Sequence, residues 1–162
     1  MFVQLQLILL SVRLVPLNIL IKYYSISGNT KAVANIISEN IRNKGHNVLV
    51  SNINEKESPE AFDLIFIGSF TINNGKLPVK TKNYLKWLIK DNNFNIPKFS
   101  VFGTGDTQWA YFCRAVDEME YHLNKVTDVI GKLKIEQHPV NQQQKIIKYI
   151  NEVMEAIQFE KN

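Results

Sequence analysis

The chain predicts an α/β protein built as a doubly wound parallel sheet, and three observations carry that prediction. Apolar runs of strand length alternate with longer segments whose apolar residues recur at helical spacing. The third run, Phe62-Asp63-Leu64-Ile65-Phe66-Ile67-Gly68, is nearly all apolar, as suits a central parallel strand covered on both faces. Loops of interest follow the first, third and fourth strands, the edge where such sheets bind ligands. Five strands alternating with helices imply right-handed crossovers.

The elements follow in order. Leu17 to Tyr23 is an apolar run that reads as a buried strand. It passes through Tyr24-Ser25-Ile26-Ser27-Gly28-Asn29-Thr30 into Lys31 to Lys44, where Val33, Ile36, Ile37 and Ile41 repeat at helical spacing. A strand, a small polar turn and a helix together make an anion site. The first helical amides lack partners within the helix, and that end carries partial positive charge. Taken alone, the turn serves equally well as an ordinary helix N-cap. Gly45 is placed to end the helix, and His46 to Ile53 alternates as a second strand. After the third strand, the loop Ser69 to Leu77 leads into a helix entered at Pro78. Tyr84, Leu85, Trp87 and Leu88 form its apolar stripe, with Lys82, Lys86 and Lys90 on another face. Lys98 to Phe102 is a fourth strand ending in Gly103-Thr104-Gly105-Asp106-Thr107. A helix from Tyr111 to Leu123, a fifth strand from Val126 to Ile135 interrupted at Gly131, and a closing helix from Asn141 to Phe159 complete the pattern.

A length of 162 residues suits one domain with a core of its own. The net charge of +4 is basic, yet no Lys/Arg run is interleaved with exposed aromatics, so nucleic acid is not expected as a partner. The single cysteine, Cys113, excludes an intrachain disulfide framework and suits a reducing, cytoplasmic setting. Met1 to Leu10 is apolar but too short to span a membrane, and no basic segment or cleavage pattern marks a secretory signal. Residues 1–16 therefore read as an extension to a domain of residues 17–162: an added edge strand, a disordered segment or, the favoured reading, a start placed upstream of the true one.

With all three loops in hand, the chain resembles the flavodoxin family from about Leu17 to Phe159. Ser25 to Thr30, followed by Ala34, is similar to the family's Thr/Ser-x-Thr/Ser-Gly-Asn-Thr phosphate loop. Gly68 to Pro78 resembles the loop on the inner face of the flavin ring. Phe102 to Asp117 is the most specific match, similar to Gly-x-Gly-Asp-x-x-aromatic-x-x-Phe-Cys-x-Ala-Val-Asp. The resemblance implies strand order 2-1-3-4-5, for which flavodoxin is itself the standard example of the ligand-binding rule. It also implies flavin mononucleotide (FMN) as cofactor, a monomer, and redox partner proteins, a reductase and an electron acceptor, with no catalytic residue in the chain. Ser25, Ser27, Gly28, Asn29 and Thr30 would then hold the phosphate, and Ser69, Phe70, Thr71, Ile72, Asn73, Asn74 and Gly75 would form the inner-face loop. Gly103, Thr104, Gly105 and Asp106 belong to the third loop, with Gly105 and Asp106 on the pyrimidine edge. Trp109 would stack on the outer face and Tyr111 would cover the ribityl chain or ring edge. Phe112 and Cys113 close the motif, with Cys113 inside the following helix as a buried structural thiol. The absence of a long insertion at the fifth strand indicates the short-chain type.

Three departures bear on function. Ile72 stands where many members have tryptophan, so the ring would be held less tightly on that side. The Asn73–Asn74 peptide occupies the place where a carbonyl turns toward the reduced flavin. Asn accepts positive φ less readily than Gly, so only moderate stabilisation of the one-electron-reduced form is expected. Charge also departs from the usually acidic family. Leu64 to Lys90 contains Lys76, Lys80, Lys82, Lys86 and Lys90 and no acidic residue, and most of that run reads as a solvated helix face. A cation at Lys76, on the flavin loop itself, would favour the reduced anion and raise its potential. In this the chain is similar to the assembly flavoproteins of class Ib ribonucleotide reductase, whose partner is a reductase subunit. The one-electron carrier ranks ahead of that alternative. A flavin-dependent quinone or NAD(P)H oxidoreductase ranks lower, since nothing resembles a nicotinamide site. A flavin-free receiver-type module lacks the paired acidic residues its magnesium site needs at the end of strand one.

Overall fold

The structure is a computed structural model describing residues 15–72, 74–90 and 97–161. Most of the N-terminal extension and Asn73 lie outside the described residues, and so does the expectation resting on the Asn73–Asn74 peptide. Strands β1 (Asn18–Tyr24), β2 (Asn47–Asn52), β3 (Leu64–Phe70), β4 (Lys98–Gly105) and β5 (Val129–Glu136) form one parallel sheet. Its order is β2-β1-β3-β4-β5, as expected. Helices α1 (Asn29–Asn43), α2 (Val79–Lys90), α3 (Arg114–Leu123) and α4 (Gln143–Lys161) cover it. The chain leaves β1 toward β2 on one side and later returns to β3 on the other, so the strand order reverses beside β1.

The pleat divides the core between the two faces. Ile19, Ile21, Leu64, Phe66 and Phe102 pack with Val33, Ile37, Ile150 and Val153 of α1 and α4. Leu20, Ile65, Ile67, Phe99 and Val101 pack with Tyr84, Leu88, Val116 and Met119 of α2 and α3. Six of the seven β3 residues are buried, which is why that run lacks the alternation of a half-exposed strand. Lys22 departs from the apolar pattern of β1. Its side chain is 0% exposed, and the three N–H groups of Nζ are shared among Ser51 Oγ (2.8 Å), Asn52 O (2.6 Å), Glu55 O (2.8 Å) and Glu57 Oε2 (2.7 Å).

Most element boundaries shift by one to three residues from the sequence expectation, β5 starting at Val129 and not Val126, and three of the differences have a clear physical reason. β4 runs on to Gly105 because it stays paired on both sides, Phe70 with Thr104 and Gly105 with Glu136. β5 continues through Gly131, but the register moves from Phe99↔Val129 to Val101↔Lys132. One extra residue on β5 is accommodated there, as in a β-bulge. α3 starts at Arg114, since Cys113 takes φ +50 and cannot continue a right-handed helix backwards. Cys113 is thus the N-cap residue and does not lie inside the helix, although it is fully buried, as expected for a structural thiol.

Candidate cofactor site

Parallel pairing sets the three loops side by side. Tyr24 is level with Ser69, Ser69 with Gly103, and Phe70 with Thr104. Side chains then join the loops. The Thr30 and Thr104 hydroxyls are 2.7 Å apart, the Tyr24 and Phe70 rings lie 5.1 Å apart, and Thr71 Oγ1 accepts from the Ala115 amide at 3.1 Å.

The first loop turns into α1 at Gly28, whose φ of +94 is left-handed and strains an L side chain. Gly28 donates its N–H to Ser25 Oγ at 3.1 Å and accepts from the Ala32 amide at 2.9 Å. Helical bonding begins at Ala32, so the amides of Asn29, Thr30 and Lys31 have no acceptor among the described residues. No side chain caps this end, and the first turn has no acidic residue. Ser27 is exposed, whereas Thr30 is 1% exposed with its hydroxyl engaged by Thr104.

The second loop closes on itself, with Ile72 N donating to Lys76 O (3.0 Å) and Gly75 N to Ile72 O (2.7 Å). Gly75 has φ +73, and a Cβ there would fall 2.6 Å from Tyr111 Cβ, so this loop packs directly on the third. Glu118 of α3 accepts from the Leu77 amide at 3.1 Å and anchors the loop's far end. Ser69 is fully buried, with its hydroxyl 3.0 Å from that of Thr81 on α2. Ile72 is 41% exposed and Asn74 is exposed.

The third loop is tied by Asp106, whose Oδ1 accepts from Gln108 N (2.9 Å) and Oδ2 from Gln137 Nε2 (3.2 Å). The Gln137 amide donates to Gly105 O at 2.7 Å, and the Thr107 hydroxyl donates to Glu136. With its carboxylate so used, Asp106 offers the loop's open side mainly backbone groups. Trp109 is 52% exposed and Tyr111 49%, with the Arg114 guanidinium 5.0 Å from the Tyr111 ring centre. Phe112 packs against the core, and Gly103 and Thr104 are buried. Cys113 Sγ lies 3.8 Å from Gly103 O and 3.6 Å from Ile135 O. Burial pushes its thiol up to about 11, so it stays protonated at neutral pH.

The loops therefore present two kinds of surface at one end of the sheet. An uncapped helix start with free amides and no nearby first-turn carboxylate suits a dianionic phosphate. Exposed Ile72, Trp109 and Tyr111 suit a flat ring, since large apolar groups left open on neighbouring loops gain by being covered. Together these fit FMN, a phosphomonoester carrying a planar ring. The expected residues divide accordingly. Ser27, Ile72, Asn74, Trp109 and Tyr111 are exposed, while Thr30, Ser69, Thr104, Phe112 and Cys113 pack beneath and hold the loops. Sequence reading missed the supports Glu118 and Thr81. The signal for Thr81 was available: Ser69 continues the Ile65–Ile67 face of β3, which meets α2. Nothing in the sequence pointed to Glu118. No helix among the described residues is long and apolar enough to cross a membrane.

Comparison with known proteins agrees. The family model for flavodoxin matches residues 21–148. A flavodoxin of Maridesulfovibrio salexigens is 30% identical over 126 residues, covering 74% of this chain and 86% of that protein. A probable flavodoxin 1 of Bacillus subtilis is 30% identical over 124 residues, covering 74% of this chain and 78% of that one. The crystal structure of oxidised flavodoxin 2 from Bacillus cereus superposes with a TM-score of 0.77 at 31% identity, covering 86% of this chain and 99% of that one. The chain belongs to the flavodoxin family, as a short-chain, FMN-binding electron-transfer flavodoxin.

Proposed function

We propose that the three loops hold FMN as a single site, and that the chain passes electrons one at a time between a reductase and an electron acceptor in the cytoplasm, acting as a monomer. The observation that carries the assignment is the uncapped start of α1 on the same sheet edge as the exposed Ile72 and Trp109. Asn29, Thr30 and Lys31 donate backbone N–H groups to the phosphate, with Ser25, Ser27 and the Asn29 amide beside them. Gly28 lets the chain reach the left-handed conformation that aims those amides outward. Ile72 covers one side of the ring and Trp109 the other, and Gly105 and Asp106 meet its polar edge through backbone groups. When bound, FMN supplies the redox chemistry. The protein positions it, excludes water from its faces and sets the charge around it. Cys113, buried and protonated, takes no part.

Lys76 favours a second reading, delivery of an oxidant to a subunit of class Ib ribonucleotide reductase, because a cation on the flavin loop stabilises the reduced anion. FMN binding is tested by flavin-fluorescence quenching with FMN and with riboflavin, which lacks the phosphate. FMN should bind at least about a hundredfold tighter, with Trp109→Ala weakening both ligands about tenfold while leaving apoprotein stability unchanged. Equal affinity for riboflavin would refute the phosphate assignment. Anaerobic redox titration then separates the two roles: a fully reduced couple far below that of free FMN supports the carrier, and one at or above it supports the reductase partner.

A further inference from the structure

We propose that the groove between α2 and α3 is where an electron-transfer partner docks, and that the partner presents an acidic protein segment to it. It rests on the electron-carrier reading of the neighbouring site and adds the partner's position and charge. Two adjoining cavities form the groove. One of about 530 Å³ lies against the flavin loop, lined by Asn74, Gly75, Lys76, Arg114 and Tyr121 among others. The next, of about 430 Å³, runs between the helices over Leu85 and Ile89, with Lys86, Lys90 and Lys125 on its rim. Lys82 and Glu118 line both, so the groove is continuous from the flavin loop to the end of α2.

Charge selects the occupant. The two stretches carry the cations Lys76, Lys82, Lys86, Lys90, Arg114 and Lys125, against the carboxylates Asp117 and Glu118. Both carboxylates are already engaged. Asp117 lies 2.6 Å from Lys134 and 3.6 Å from Lys132, while Glu118 accepts from the Leu77 amide and lies 3.4 Å from Lys82. Among the described residues, Lys76, Lys86 and Lys90 have no ion-pair partner. Lys82, Lys86 and Lys90 fall at four-residue intervals, so their helix positions are stepped about 6 Å apart along α2. A partner helix with carboxylates at the same interval and an apolar residue between them would meet the cations and cover the half-buried Ile89, beside which Leu85 is already buried. Such a partner ends beside Gly75 and Lys76, at the flavin loop, where electrons must cross. A polynucleotide would satisfy the cations but leave Ile89 uncovered.

The test uses the full chain loaded with FMN and a fluorescein-labelled helical peptide with Glu at i, i+4 and i+8 and Leu between them, followed by anisotropy. A peptide with Lys in place of Glu and an oligothymidylate serve as comparisons. The acidic peptide should bind tightest and weaken at least about tenfold between about 20 and about 300 mM salt. The variant K86E/K90E/K125E should lose that binding with its flavin absorption spectrum unchanged, whereas K44E/K148E, on the opposite side of the sheet, should keep it. In stopped flow, reduction of the bound flavin by an acidic, prereduced [2Fe–2S] protein should slow about tenfold in the groove variant at low salt. The proposal is overturned if the Lys peptide or the oligonucleotide binds as tightly, or if the groove variant binds the acidic peptide like the parent. If the peptide docks as expected but the acidic protein passes no electron at any salt concentration, the docking surface stands and the carrier reading fails.

Discussion

Replacing Lys22 with methionine keeps the aliphatic stem in place and removes only the ammonium, which makes it a direct probe of the polar cluster beneath β1. The ammonium has four oxygens within 2.8 Å to share its three N–H groups and is fully enclosed. It also lies 5.3 Å from the ring centre of Tyr84, whose buried hydroxyl has no partner among the described residues. Removing one member of a buried ion pair costs about 3–5 kcal/mol, because the other charge is left uncompensated. Glu57 is 18% exposed and can turn toward water, which puts Lys22→Met near the low end, about 3 kcal/mol. For a chain of this length that lowers the melting temperature by about 6–12 °C. Urea unfolding of the apoprotein should show the loss as a lower midpoint at unchanged slope. The double variant K22M/E57Q should be less destabilised than the sum of the single variants by at least about 1 kcal/mol, since it no longer leaves a charge stranded. Strict additivity, or a loss under about 0.5 kcal/mol for K22M, would show that the cluster is already hydrated and would refute the reasoning.

Two further outcomes follow from the same geometry. Burial raises the Glu57 pKa, but hydrogen bonds from Lys22 and Ser51 and the Lys22 charge outweigh it, holding the carboxyl below its ordinary 4.5. Its stabilising contribution is therefore complete above pH 4.5 and is lost as pH falls through the folded-state value; urea midpoints measured downward from neutral pH should fall more steeply in the parent than in E57Q, and parallel curves would contradict this. At Gly28, alanine meets nothing within 4 Å, so its effect is conformational: holding φ +94 costs about 1–2 kcal/mol, and FMN affinity should drop about five- to thirtyfold, while unaltered affinity and stability together would show that the loop needs no left-handed residue.

Much of this molecule was legible because its core obeys two periods. Helical spacing picked out the faces of α1, α2 and α4, and the unbroken apolar run of β3 marked the centre of the sheet. Motif spacing placed the three loops at one sheet edge. The helix boundary at Cys113 was not legible, because Phe112, Val116, Met119 and Leu123 keep helical spacing across it while the backbone at Cys113 turns left-handed. Spacing records which side chains share a face and says nothing of φ. The direction of the Ser69 and Thr104 hydroxyls formed no part of the sequence expectation, yet the information was present. Carrying the pleat past the last apolar residue puts Ser69 on the face of Ile65 and Ile67, toward α2, and Thr104 on the face of Phe102, toward α1. Those are the helices whose Thr81 and Thr30 they meet. The same count puts Lys22 on the face of Leu20, which explains how a lysine inside an apolar run comes to lie against Tyr84. A family motif names the donors around a ligand; the pleat decides which of them turn away to hold the loops. In this chain, Ser69 and Thr104 turn away in this manner and Thr30 of α1 meets Thr104, so their loss should first loosen the loops and only through that weaken the cofactor.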